Sequence, residues 1–203
     1  VVKDVTLIYN GVTQPEICSC PDYFRELGIE EGKYILGMCR FVPEKNLHHL
    51  VDAFLLLKRD NRIPEDLRLV LAGDTDFEDD YSISLKKKAR ENHVVLTGFI
   101  KGRKLHSLLS HAACFCLPSR HEGRPIALLE AMSYGIPVVA SNIPANMEIG
   151  LDSCHYFPCG NIEKLADRIE EMISRSNKIH YDMHLYNWDI IAQQTAEVYN
   201  KIK

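Results

Sequence analysis

The sequence has no uninterrupted apolar run of about 18 residues, the length that a membrane-spanning helix requires. It also has no run of Lys or Arg, and its formal net charge is −4, so we expect neither a transmembrane segment nor a nucleic-acid partner. The first residues lack the pattern of a signal peptide, which favours a cytoplasmic location.

Cysteine is present, but without the spacing of a metal site. The seven cysteines include the pairs Cys18/Cys20 and Cys114/Cys116, and neither pair has the gap of two to four residues that is usual for zinc ligands. Cys114 and Cys116 lie in a strand-like run in which alternate residues share one face. We therefore expect free thiols and no metal. No Ser-His-Asp grouping is indicated, so Ser119 is expected to shape a loop rather than act as a nucleophile.

Short apolar runs alternate with amphipathic stretches along most of the chain, and apolar residues make up 46% of it. This alternation predicts an α/β fold, a Rossmann-like doubly wound parallel sheet of about six strands. The predicted strands are Tyr34–Met38, Leu67–Ala72, Val94–Leu96, Cys114–Leu117, Val138–Ala140 and His155–Phe157. The predicted helices are Asn46–Asp60, Asp79–Asn92, Lys101–His111, Pro125–Tyr134 and Ile162–Ser176.

We expect three segments: a lead-in over residues 1–20, a ligand-binding domain over 21–185, and a tail helix within 186–203 that runs from Trp188 to Tyr199. The lead-in is predicted to contain a strand, Val5–Val12, that runs into a turn. Because the chain begins without Met and in the middle of this strand, we expect a fragment of a longer protein.

Ligands of open α/β sheets bind beyond the carboxyl ends of the strands, which here precede the loops 38–45, 73–78, 98–102 and 118–124. The first loop lacks a G-x-G-x-x-G motif, which disfavours a dinucleotide cradle of the dehydrogenase type. It carries instead Arg40 and Lys45, which suit a diphosphate because Arg binds two oxygens at once and Lys acts as a point charge. The alternative is a surface pair bridged to Glu44 or Asp74.

The segment 119–141 holds two glutamates, Glu122 and Glu130, among apolar and small residues. Glu130 lies among residues that favour burial, so its carboxylate needs a polar partner or a cleft. Pro125 begins a helix whose first amides, around Gly123 to Ile126, can bind an anion. The alternative is that Glu122 is a loop residue bridged to its neighbours Arg120 and Arg124.

Together these residues resemble the retaining GT-B glycosyltransferases of family GT4, the glycosyl transferases group 1. Two glutamates separated by seven residues, with Pro-Ser before them and Gly-x-Pro-Val-Val after them, are typical of that family. Asn46 is predicted to cap the helix that follows the first loop. The resemblance spans nearly the whole chain and is carried further by Tyr9–Val12, Arg40 with Lys45–Asn46, Leu71–Gly73, Leu96–Phe99 and Trp188–Tyr199.

The resemblance implies the C-terminal, donor-binding half of a GT-B fold, with a nucleotide-diphosphate sugar such as a UDP- or GDP-hexose as donor and neither metal nor cofactor. Arg40 and Lys45 would hold the diphosphate and stabilise the leaving group. Glu130 would bind the ribose, and backbone groups around Phe99 and Ile100 would meet the base. Catalytic roles would therefore fall to Glu122, Arg40 and Lys45.

Glu122 and the segment Gly123, Arg124, Pro125 and Ile126 would hold the transferred hexose and its phosphate. Arg124 departs from the family, in which a small or apolar turn residue is usual at this position, so its contact with the donor is an open question. His121, beside the motif, is a further candidate for contact with donor or acceptor.

The resemblance further implies a glycan or lipid-linked acceptor, bound by an N-terminal domain that this sequence lacks. The chain alone is therefore expected to transfer little or no sugar. The full-length protein is expected in the cytoplasm, where a peripheral position at the inner membrane face is compatible with it. Two alternatives are a GT-B-fold nucleotide-sugar epimerase and a non-catalytic nucleotide-binding domain.

Overall fold

The computed structural model describes residues 5–175 and 178–202, and a parallel sheet of six strands runs through this part of the chain. The strands are β1 (Tyr34–Met38), β2 (Arg68–Ala72), β3 (Val95–Leu96), β4 (Cys114–Leu117), β5 (Val138–Ser141) and β6 (Tyr156–Phe157). Their order in the sheet is β3-β2-β1-β4-β5-β6, and every strand pairs in parallel with its neighbours.

Eight α-helices connect or flank these strands within the described residues. They are α1 (Pro21–Leu27), α2 (Leu47–Arg59), α3 (Asp80–Glu91), α4 (Arg103–His111), α5 (Ile126–Ser133), α6 (Pro144–Met147), α7 (Ile162–Ser174) and α8 (Trp188–Ile202). The predicted doubly wound parallel sheet is confirmed, and each predicted strand ends within one residue of an observed one. The predicted end of α7, Ser176, lies outside the described residues.

The two faces of the sheet bury separate apolar cores because alternate residues of a strand point to opposite faces. In β1, Tyr34 and Leu36 belong to the core under α1, α4 and α5, whereas Ile35 belongs to the core under α2, α3 and α7. Strands covered on both faces are continuously apolar, and β4 is buried at all four positions. Cys114 and Cys116 share one face as predicted, with their Sγ atoms 3.9 Å apart.

The predicted strand Val5–Val12 is wrong: residues 5–20 have no regular secondary structure. Val5 and Leu7 are largely exposed, and instead of pairing with a strand the lead-in is attached near its middle. The Val12 amide donates to the Tyr186 carbonyl at 2.8 Å. Gly11 lies so close to Trp188 that a Cβ atom there would approach the indole ring to 2.4 Å. The apolar residues of this segment are therefore not sufficient to form a strand.

Helix α1 was not predicted, although its sequence carries two helix signals. Pro21 occupies the first helical turn, and Gly28 ends the helix in the left-handed conformation at φ 64°. The predicted tail helix is present as α8, but only part of its apolar stripe is covered. Ile191 is buried, whereas Trp188 and Tyr199 are exposed in the structure.

Candidate functional site

The predicted site loops meet at the carboxyl edge of the sheet, where the strand order changes direction. β1 lies between β2 and β4, so the loops that follow β1 and β4 flank the point at which doubly wound sheets bind ligands. These loops are residues 39–46 and 118–125, and we call them the first loop and the fourth loop. The fold therefore places Lys45 and Glu122 on adjacent loops although 77 positions separate them in the sequence.

Backbone and side-chain hydrogen bonds fix the first loop. The Phe41 amide donates to the Asp74 carbonyl at 2.8 Å, and the Phe41 side chain is buried. Asn46 precedes α2 in the left-handed conformation at φ 50°, and its side chain makes no capping bond to that helix. Its Nδ2 instead donates to the Pro118 carbonyl at 3.3 Å, so the predicted helix cap is a brace between the first and fourth loops.

Lys45 and Glu122 form an ion pair in the structure. Lys45 Nζ lies 2.8 Å from Glu122 Oε2, and the two side chains are only 16% and 7% exposed. Neither alternative expected from sequence is found, because Lys45 does not pair with Glu44 or Asp74, and Glu122 does not pair with Arg120 or Arg124, among the described ion pairs. A charge pair with so little solvent contact needs good geometry to offset its desolvation.

Arg40 extends from the first loop into solvent, with its side chain 63% exposed. The nearest carboxylate, that of Asp76, is 3.9 Å away, a long contact between exposed groups that contributes little stability. Asp74, the expected alternative partner, pairs with Lys86 at 2.6 Å instead. The Arg40 guanidinium therefore has most of its donors available to a ligand.

The fourth loop turns sharply before α5. Pro125 has φ −80° and ψ 68°, and the Ile126 amide donates to the Arg124 carbonyl at 2.9 Å, which together define an inverse γ-turn. Pro125 has no N–H group and the Ile126 N–H group is already hydrogen-bonded, so these two residues do not supply the predicted anion-binding amides. The backbone N–H groups of Gly123 and Arg124 have no hydrogen-bond partner among the described residues, and Gly123 is exposed.

Arg124 of the fourth loop takes no part in the Lys45–Glu122 ion pair and contacts the lead-in instead. Its guanidinium carbon is 4.2 Å from the centroid of the Tyr9 ring, a cation–π contact with the lead-in. The residues are 115 positions apart, and no local sequence signal indicates the pair. His121, by contrast, is exposed and has no hydrogen bond or ion pair within the described chain.

Glu130 lies on α5 and is half-buried without a hydrogen-bond partner for its carboxylate among the residues described. Burial raises the pKa of this carboxyl group above its ordinary value, and the nearby His106 opposes part of the shift. His106 Nδ1 and the Tyr134 hydroxyl form a hydrogen bond of 2.6 Å. An unpaired, half-buried carboxylate is an acceptor available to a ligand's hydroxyl groups.

The loop after β3 lies farther along the edge. Phe99 is 62% exposed, while Ile100 packs against the core under α4 and α5. The Gly73 amide donates to the Gly98 carbonyl at 3.0 Å, which joins this loop to the one after β2. β3 is two strands from β1, so at the usual strand spacing the ends of these two strands are about 10 Å apart along the edge.

Cys39 is the first residue of the first loop and was not singled out from the sequence. Burial raises the pKa of its thiol to about 12, against an opposing effect of Lys45, so the thiol stays protonated under the site.

A cavity of about 460 Å³, lined by Lys33, His111 and Lys178 among others, lies at the opposite, amino edge of the sheet and contains none of the predicted site residues.

The doubly wound sheet, with cations and carboxylates at its switch point, has the fold of GT-B glycosyltransferase structures. The family model for glycosyl transferases group 1 matches residues 21–183, so the chain belongs to this family. No helix among the described residues is both long and apolar enough to cross a membrane.

Two curated relatives and one solved structure illustrate the similarity. The chain is 30% identical to an uncharacterised glycosyltransferase of Methanocaldococcus jannaschii, over 96% of the chain and 53% of the relative. It is 34% identical to O-antigen chain mannosyltransferase B of Escherichia coli, over 57% of the chain and 30% of the relative. The crystal structure of Anabaena HepE in complex with UDP and glucose superimposes with a TM-score of 0.80 at 24% identity, over 96% of the chain and 56% of HepE.

The chain thus spans about half the length of the first of these relatives and of HepE.

Proposed function

We propose that the chain is the donor-binding half of a retaining GT-B glycosyltransferase of family GT4, which transfers a hexose from a nucleotide-diphosphate sugar. The observation that carries the proposal is the convergence of Arg40, Lys45 and Glu122 at the switch point of the sheet. In this proposal residues 21–185 bind the donor, and the lead-in 1–20 and the tail 186–203 connect this half to the rest of the enzyme.

The diphosphate is bound by the two cations of the first loop. Arg40 offers a largely free guanidinium, which can hold two phosphate oxygens in parallel. Lys45 is neutralised by Glu122 in the structure, so an entering diphosphate competes with that carboxylate for the ammonium group. The unpaired amides of Gly123 and Arg124 add neutral donors beside it.

The remaining parts of the donor follow from the positions of the two glutamates. Glu130 accepts hydrogen bonds from the vicinal ribose hydroxyls, since its carboxylate has no partner among the described residues. Backbone groups at Phe99 and Ile100 meet the base. Glu122, once displaced from Lys45, faces the transferred hexose.

Transfer with retention is proposed to proceed by front-face attack through an oxocarbenium-like state. Arg40 and Lys45 stabilise the charge that develops on the leaving diphosphate, which is the electrostatic part of catalysis. Glu122 positions the hexose and stabilises the positive charge on the sugar ring, and it does not act as a nucleophile. No metal or cofactor is required by this set of residues.

The acceptor, a glycan or a lipid-linked sugar, is proposed to bind to a domain outside this chain. The reaction would then occur between two domains in the cytoplasm, peripherally at the inner membrane face for a lipid-linked acceptor. The chain alone is expected to bind donor but to transfer almost no sugar. Transfer by the chain alone at the rate of the full-length enzyme would contradict this division of roles.

A panel of nucleotide sugars tests the proposal. Ligand-observed NMR with UDP-, GDP- and ADP-hexoses should give saturation transfer to the ribose and hexose protons of one nucleotide class. Binding of no member of the panel would contradict the proposed function and favour a non-catalytic domain. Conversion of the donor to an epimeric sugar nucleotide would favour an epimerase instead.

A further inference from the structure

Arg124 connects the fourth loop to two segments outside the site. Its guanidinium stacks on Tyr9 of the lead-in, and the Tyr9 ring in turn contacts that of Tyr186, with centroids 5.8 Å apart. Tyr186 is buried, and its carbonyl accepts the hydrogen bond from Val12 that anchors the lead-in. One side chain thus links the fourth loop to both the lead-in and the segment that precedes α8.

The tip of the fourth loop is held from two sides. On one side Glu122 is fixed by Lys45 of the first loop at 2.8 Å, and on the other side Arg124 is fixed by Tyr9. Gly123 lies between them with open space around its Cα, and carries one of the two free amides. The direction of these amides is therefore set by the anchors of the flanking residues, and Arg124 is one of the two.

The surroundings of Arg124 favour this anchoring role over direct contact with the donor. Among the described ion pairs, no carboxylate lies within bonding distance of Arg124, so the aromatic face is its main partner. The charge of Arg124 also acts on Tyr186, where it opposes part of the burial that raises the pKa of that phenol. The stack uses the face of the guanidinium and leaves its N–H edge without a carboxylate partner among the described residues, so direct contact of that edge with the diphosphate is the alternative that the variants below must separate from anchoring.

We propose that Arg124 is a positioning residue, which through Tyr9 and Tyr186 makes the shape of the donor-binding loop depend on the lead-in and on the segment before α8. This inference rests on the proposed function, because it assigns the fourth loop to the donor. Movement of the lead-in would then alter donor affinity although neither Tyr9 nor Tyr186 is among the proposed donor-binding residues.

The test compares Tyr9→Ala, Tyr9→Phe and Arg124→Leu with Tyr199→Ala as a control. Tyr199 is also a tyrosine but is exposed on α8, and its side chain makes no ring contact or hydrogen bond among the described residues. The first readout is calorimetric affinity for the nucleotide sugar that the unaltered chain binds. The second is the rate of tryptic cleavage at Arg120–His121, which reports the mobility of the fourth loop without any ligand.

Arg124 precedes Pro125, so trypsin does not cleave after it and Arg124→Leu removes no cleavage site from the loop. A cation–π contact between half-buried groups predicts a loss of affinity of about threefold to tenfold in Tyr9→Ala and in Arg124→Leu. Tryptic cleavage should accelerate in both variants. Tyr9→Phe, which keeps the aromatic face, and Tyr199→Ala should match the unaltered chain in both readouts.

The double variant Tyr9→Ala/Arg124→Leu should be no worse than either single variant, since both remove the same contact. Loss of affinity in Arg124→Leu with unchanged affinity and cleavage in Tyr9→Ala would overturn the inference in favour of direct donor contact. If Tyr9→Ala lowers the melting temperature globally, Arg124→Leu and the tryptic rate still decide the question. Failure of the unaltered chain to bind any nucleotide sugar would overturn the proposed function and this inference with it.

Discussion

The Lys45–Glu122 pair leads to a prediction in which a damaging substitution is rescued by ligand. Glu122→Gln removes the carboxylate and leaves the Lys45 ammonium, whose side chain is 16% exposed, without a counterion among the described residues. Removing one partner of a fully buried pair costs about 3–5 kcal/mol, and the residual exposure of Lys45 reduces this to about 2–3 kcal/mol. For a chain of 203 residues this corresponds to a fall in melting temperature of about 5–10 °C.

A diphosphate should replace the missing carboxylate. We therefore expect UDP to bind to Glu122→Gln at least as tightly as to the unaltered chain, and to raise the melting temperature of the variant by at least as much. Lys45→Met should be destabilised as well, since Glu122 is then unpaired, but UDP should not rescue it. The double variant should be more stable than Glu122→Gln because it leaves no unpaired charge.

Thermal unfolding followed by circular dichroism, with and without UDP, measures these effects, and calorimetry supplies the affinities. An unchanged melting temperature in Glu122→Gln would refute the claim that the pair is buried and stabilising. A tenfold loss of UDP affinity in that variant would refute competition between Glu122 and the diphosphate for Lys45.

Two further predictions concern Glu130 and Gly73. Because burial raises the pKa of Glu130, UDP-glucose affinity should fall as pH decreases through a range above that of an ordinary Glu, and Glu130→Gln should bind weakly at every pH. The fully esterified diphosphate of UDP-glucose does not titrate in that range, so a decrease that persists in Glu130→Gln would contradict the assignment to Glu130. The folded state holds the Glu130 proton more tightly than the unfolded state, so this group should lower the free energy of unfolding as pH rises between the two pKa values, measurable in urea. Gly73→Ala should lower the free energy of unfolding by about 2–4 kcal/mol, since φ is 125° and the new Cβ would lie 2.1 Å from the Cys39 carbonyl oxygen. The control Gly32→Ala, with φ 74° and open space around the new Cβ, should lower it by about 1 kcal/mol. Equal losses in the two variants would contradict the close approach at Gly73.

The sheet was predictable because its strands are short apolar runs covered on both faces. Such runs are too apolar to lie in an exposed loop, and glycine or proline marks their ends. β1 and β4 were therefore predicted with their observed bounds. The predicted strand Val5–Val12 is absent because a short apolar segment forms a strand only where a neighbouring strand pairs with it, and none pairs with this segment among the described residues. That segment is attached by the backbone hydrogen bond of Val12, by packing at Gly11 and by the ring contacts of Tyr9.

The candidate site was predictable as a set of residues but not as a set of contacts. Arg40, Lys45 and Glu122 could be selected from the sequence because they lie in loops at the carboxyl edge of the sheet, which the topology alone brings together. The pairing of Lys45 with Glu122, and of Arg124 with Tyr9, depends on side-chain positions in the folded chain, for which nearby sequence gives no signal. The Asn46 side chain likewise does not cap α2 as predicted but donates a hydrogen bond to the Pro118 carbonyl.

Calorimetric titration of two variants tests most directly the central claim, that the first loop and α5 form a nucleotide-sugar site. Arg40→Ala and Glu130→Ala should each lose measurable binding of the nucleotide sugar that the unaltered chain binds, while keeping its melting temperature. Arg25→Ala and Glu91→Ala, exposed changes of the same types on α1 and α3, should bind normally. Unchanged affinity in a folded Arg40→Ala or Glu130→Ala variant would contradict the assignment of the site.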